Sequence, residues 1–136
     1  MQVKKINQLT GHRSAIYALH AGREPATFLS AGGDGYIVEW RLDEPENGQL
    51  IAQVEGQVFS LAWLAELETL VAGDLTGGVH WLRLSAPEQN RHIAHHQKGT
   101  HAILNLTDNL VLTFGQGGTL TRWDALRARS LESLQL

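Results

Sequence analysis

Phe28-Leu29-Ser30-Ala31-Gly32-Gly33-Asp34-Gly35-Tyr36-Ile37-Val38-Glu39-Trp40-Arg41-Leu42 is two short apolar, β-prone runs around a glycine-rich turn. Such a segment reads as a β-hairpin, because glycine reaches positive φ without a steric penalty. Slid along the sequence by 42 residues, it finds a partner with no gap. Phe28-Leu29-Ser30-Ala31-Gly32 falls on Leu70-Val71-Ala72-Gly73-Asp74, and Trp40-Arg41-Leu42 on Leu82-Arg83-Leu84. The run ahead of it, Ile16-Tyr17-Ala18-Leu19, falls on Val58-Phe59-Ser60-Leu61 at the same offset. A third copy follows at a shift of 83, as Val111-Leu112-Thr113-Phe114-Gly115 and Gly118-Thr119-Leu120-Thr121-Arg122-Trp123. Its opening run, Ala102-Ile103-Leu104-Asn105-Leu106, aligns at a shift nearer 87, with a shortened hairpin at Asp108-Asn109.

A repeat of that length with four short strands is a propeller-blade signature, which lies at about 40–45 residues. In the first repeat, strands a to d are expected at residues 15–20, 26–31, 36–42 and 50–54. The acidic stretch Asp43-Glu44-Pro45-Glu46-Asn47-Gly48 reads as a solvated c–d loop, since proline and Asn-Gly both mark turns.

Repeat one resembles a WD40 repeat through Gly11-His12 ahead of strand a, Ser30 in b, Asp34 in the b–c turn and Trp40 in c. The resemblance implies a hydrogen-bonded tetrad of His12, Ser30, Asp34 and Trp40, in which each buried polar group finds a partner. Asp, His and Ser together also suggest a nucleophile, but the indole partner of Ser30 favours the structural role. Repeat two keeps the apolar skeleton and loses the polar one, with Ala72, Thr76 and Leu82 at the Ser, Asp and Trp positions. Repeat three keeps Trp123-Asp124, has Thr113 for the Ser and Gly117 for the Asp, and offers His95 or His96 for the histidine.

The expected fold is therefore all-β, with three four-stranded antiparallel blades per chain plus an extra N-terminal outer strand. The divisions are residues 1–10 for that strand, 11–54 for blade 1, 55–96 for blade 2 and 97–136 for blade 3. Propellers close with 4–8 blades, so three leave two apolar faces and unpaired edges that invite association. Either the chain begins a longer propeller, or two or three copies close a ring head to tail.

Composition bounds the rest. Hydrophobic residues are 43% and charged residues 18% of the chain, which suits a packed core. A net charge of −3 gives no electrostatic reason to expect nucleic acid or a membrane surface as partner. With no cysteine, disulfides and thiolate sites are excluded. Lys4-Lys5 precede no apolar segment, so the start does not read as a signal peptide, and a soluble cytoplasmic protein is expected.

The resemblance also implies a non-catalytic protein-binding scaffold needing no cofactor. Its partner-binding face maps onto Arg13, Ala15 and Tyr17 in blade 1, Gln57, Phe59 and Leu75 in blade 2, and Ala102, Leu104 and Gln116 in blade 3. Tyr17 and Phe59 are its strongest anchors, as aromatics dominate interfaces. A small-ligand propeller, lectin-like or metal-binding, is the alternative; a lectin-like one would repeat the same polar residues in every blade, which the repeats do not show. His92, His95, His96 and His101 are weak metal candidates. No carboxylate lies among them, so a solvated d–a connection is the preferred reading.

Overall fold

The computed structural model describes residues 12–107 and 109–136. They form three separate four-stranded antiparallel sheets, each a meander in chain order. Blade 1 is β1 (Ile16–Ala21), β2 (Thr27–Gly32), β3 (Tyr36–Arg41) and β4 (Glu44–Gln53). Blade 2 is β5 (Val58–Leu64), β6 (Thr69–Asp74), β7 (Gly78–Arg83) and β8 (Arg91–Ala94). Blade 3 is β9 (Thr100–Thr107), β10 (Leu110–Gly115), β11 (Thr119–Asp124) and β12 (Arg129–Gln135). The outer strand expected over residues 1–10 lies outside the described residues.

The hairpin that decided the reading is closed the same way in every blade. Gly35, Gly77 and Gly118 have φ of +77°, +99° and +87°, a region closed to most side chains. Their amides donate to the carbonyls of Gly32, Asp74 and Gly115, and their own carbonyls accept from Val54, His96 and Leu136.

Alternation along the strands gives each blade two faces, and neighbouring blades meet through unlike ones. Leu29, Ala31, Ile37 and Val54 of blade 1 pack on Leu61, Leu70, Ala72 and Leu82 of blade 2. On the other side of blade 2, Val71, Val79 and Trp81 pack on Val111 and Trp123 of blade 3. Burial of these side chains supplies the main drive for stacking the sheets.

Two faces have no neighbour among the described residues. Blade 1 leaves Leu19 69% exposed in register with Ser30, Val38 and Leu50. Blade 3 leaves Leu104 56% exposed beside Leu112, with Phe114, Leu120 and Leu134 on the same face. Among the described residues, no helix is long and apolar enough to cross a membrane.

Two expectations are corrected. The acidic stretch is no loop: β4 begins at Glu44, and only Leu42-Asp43 separate it from β3. Gly48 serves close approach rather than a turn, because a Cβ there would press on the ring of Trp40. The opening of the third repeat aligns at 84, not 87. Leu19, Leu61 and Ile103 pair with Ser30, Ala72 and Thr113, so ladder hydrogen bonds rather than apolar likeness fix the register.

Candidate functional site

Each blade carries a buried polar cluster, and the three differ. In blade 1, His12 Nδ1 lies 2.9 Å from Asp34 Oδ2 and His12 Nε2 lies 2.6 Å from Ser30 Oγ. The Trp40 indole N–H donates to the same Oγ at 2.8 Å. With Nδ1–H donating to the carboxylate, Nε2 accepts from the Ser30 hydroxyl, and every group is satisfied. Ser30 is 1% exposed and its oxygen is taken up by His12 and Trp40, so the four residues brace the blade.

Burial raises the Asp34 carboxyl, but bonds from the Arg13 and Tyr36 amides and the His12 ring outweigh it and hold it below the ordinary value. Asp34 therefore stays charged to lower pH in the folded protein than in the unfolded chain. Its stabilisation is complete above the unfolded value of about 3.9 and is lost as pH falls through the depressed folded one. Asp34→Asn is expected to destabilise by about 1–3 kcal/mol at neutral pH. The gap to wild type should narrow steadily in urea unfolding below pH 4, about the unfolded carboxyl value. A gap independent of pH would show that the charge is not what matters.

Blade 3 rebuilds the tetrad without its acid. His96 Nε2 lies 2.9 Å from Thr113 Oγ1, which also accepts from the Trp123 indole at 2.8 Å. Gly117 stands in the acid's place. His95 Nε2 sits 2.7 Å from Thr121 Oγ1, which in turn bonds Ser133. Burial pushes both imidazoles down, His95 adding to the fall of His96. The d–a connection is thus not solvated, as the sequence suggested, since His95 and His96 fold into blade 3.

Blade 2 has a different cluster, centred on Asp74 and His80, neither of which the sequence offered as a site residue, with Thr76 and His92 beside them. Asp74 Oδ1 accepts from the Gly78 amide at 2.8 Å and from the Thr76 amide and hydroxyl at 2.9 Å. Asp74 Oδ2 lies 2.8 Å from His80 Nε2 and 3.7 Å from His92 Nε2. Burial raises the Asp74 carboxyl, but these donors, His80 foremost, hold it low. Burial also lowers His80, and the hydrogen bond to Asp74 does not restore it. The pair is a carboxylate beside a neutral imidazole. Only the β7–β8 register, which pairs His80 with His92, could have revealed it in advance.

The expected partner-binding residues divide. Tyr17 and Phe59 meet edge to face at 4.7 Å, and the blade 3 member of the group is His101, stacked on Phe59 at 5.3 Å. His101 reaches Gln116 at 3.4 Å, so Gln116 belongs to the neighbourhood. Arg13 and Leu75 are exposed, while Gln57 gives its carbonyl to the Leu75 amide. Leu104 is displaced from this group, because the true register of β9 puts it on the open outer face of blade 3.

No family model matches the chain. Solved structures do. The WD40 β-propeller domain of Doa1 superposes with a TM-score of 0.77 at 20% identity, over 94% of this chain and 43% of that one. The RRP9 WD40 repeats give 0.75 at 16% identity, over 93% and 40%. U3-55K gives 0.74 at 17%, over 93% and 41%. The chain spans about two fifths of the length of these structures. Three four-stranded meanders, stacked face to face and superposing on these propellers, give the chain the fold of three WD40-type β-propeller blades.

Proposed function

We propose that the chain is a protein-interaction scaffold without chemistry of its own, and that a second copy covers its open blade faces. The observation that supports this is the pairing of unlike faces. Leu19, Phe28 and Trp40 on blade 1 occupy the positions that Leu61, Leu70 and Leu82 use on blade 2 to receive blade 1. Leu112, Phe114 and Leu120 on blade 3 stand where Leu29, Ala31 and Ile37 stand on blade 1. One chain therefore carries both halves of one further interface, and two or three copies can join head to tail. The Tyr17–Phe59–His101 cluster, with Tyr17 half exposed, is the surface left for a protein or peptide partner. A cytoplasmic setting suits such a role.

Light scattering on the purified chain tests the assembly. The expected mass is two or three times the 15.0 kDa of one chain. Leu104→Glu, which places a charge on the joining face, should return it to one. A wild-type mass of a single chain overturns the proposal and leaves the faces to further blades of a longer polypeptide.

A further inference from the structure

Blade 2 brings together three metal-ligating side chains, a grouping found in neither other blade among the described residues. Asp74 ends β6, His80 lies in β7 and His92 in β8. All three ligand atoms lie within 4.8 Å of one another. The two imidazole rings are parallel, with centroids 4.2 Å apart, and both Nε2 atoms approach the single oxygen Asp74 Oδ2. The other carboxylate oxygen is occupied by Thr76 and Gly78, which fixes the direction in which Oδ2 points.

Blade architecture does not call for this trio. The strand registers put Gly32, Val38 and Leu50 at the equivalent positions of blade 1, and Gly115, Thr121 and Ser133 at those of blade 3. The blade also makes room for it. β7 starts with Gly78 where β3 starts with Tyr36 and β11 with Thr119, and a Cβ on Gly78 would run into both Asp74 Oδ2 and His92 Nε2. A tetrahedral ion bound at about 2.0–2.1 Å sets its ligand atoms about 3.3 Å apart. That spacing falls between the 2.8 and 3.7 Å that separate the two imidazoles from Asp74 Oδ2. The His92 side chain is 55% exposed, and turning its ring out of the stack on His80 would aim Nε2 at the ion, with a fourth position for water.

We propose that Asp74, His80 and His92 form a binding site for one divalent transition-metal ion of the zinc type. Both imidazoles bind through Nε2 with the proton on Nδ1, so the Asp74–His80 hydrogen bond is exchanged for bonds to the ion. Two nitrogens and one carboxylate oxygen suit zinc or cobalt, whereas magnesium and calcium prefer oxygen alone.

Titration of the full chain with Co²⁺, followed by its visible absorption, tests the site. One equivalent should bind per chain and be displaced by Zn²⁺. His92→Ala, at an exposed position that leaves the fold intact, should weaken binding by about tenfold or more. His101→Ala should leave the titration unchanged. Absence of bound Co²⁺, or equal affinity in wild type and His92→Ala, overturns the proposal. Asp74→Asn serves as a second variant where its circular dichroism shows the fold retained, and it too must lose the ion.

Discussion

Replacing Trp123 by alanine is expected to lower the stability of the chain by about 3–5 kcal/mol, enough to bring it close to unfolding. The side chain is 1% exposed and packs against Trp81 and His95, with ring centroids 5.5 and 4.8 Å away. Its loss opens a cavity between blades 2 and 3 and removes the indole donor from Thr113, which is itself fully buried with His96 on its other side. Trp123→Phe keeps most of the volume and loses the donor, for about 1–2 kcal/mol. Trp81→Phe is the informative contrast. The indole N–H of Trp81 is buried with no partner among the described residues, so its replacement loses ring volume but no hydrogen bond and should cost less than Trp123→Phe. Urea unfolding of the three variants should rank them in that order, and equal losses at the two tryptophans would show that volume alone matters.

Gly77→Ala should be nearly as damaging, by about 3 kcal/mol. Its φ of +99° is one that L side chains rarely adopt, and a Cβ there would strike the backbone carbonyls of His96 and Lys98. Backbone cannot swing aside as a side chain can, so the d–a connection itself would have to move. Gly117→Ala is the matched control. Beyond its own chain neighbours, no atom of the described residues lies within 4 Å of a Cβ at that position, and its φ lies outside the strained region. Its change should stay within about 0.5 kcal/mol. Thermal or urea denaturation separates the two, and a Gly77→Ala protein as stable as wild type would mean that this turn tolerates a different conformation.

The blades were legible because blade packing repeats its apolar runs, and three runs agreeing on one offset leave little freedom. The tetrad of blade 1 was legible because each member has a fixed place relative to the turn at Asp34. The opening of the third repeat was not. Ile103 and Leu104 are both apolar neighbours in sequence, so hydrophobicity alone cannot say which faces blade 2, and the ladder to β10 decides. The strand from Glu44 was hidden by Pro45 and Asn47-Gly48, residues that ordinarily mark turns. The Asp74–His80–His92 cluster was hidden for another reason. Its members come from three strands, and without the pairing of β7 to β8 the twelve-position separation of His80 and His92 signifies nothing. In sequence His92 stands close to His95, His96 and His101, which serve blade 3 instead.

That last assignment bears on where the polypeptide can be cut. His95 and His96 follow directly on β8, the outer strand of blade 2, and their amides close the blade 2 turn at Gly77, yet the hydrogen bonds their side chains complete lie inside blade 3. A segment ending at Ala94 would contain every strand of blade 2 while depriving the next sheet of the imidazoles that Thr113 and Thr121 need. Sheet boundaries and cooperative boundaries thus fall at different residues. Blades 2 and 3 should therefore melt together, and a functional dissection of the protein must keep residues 95 and 96 joined to both sheets.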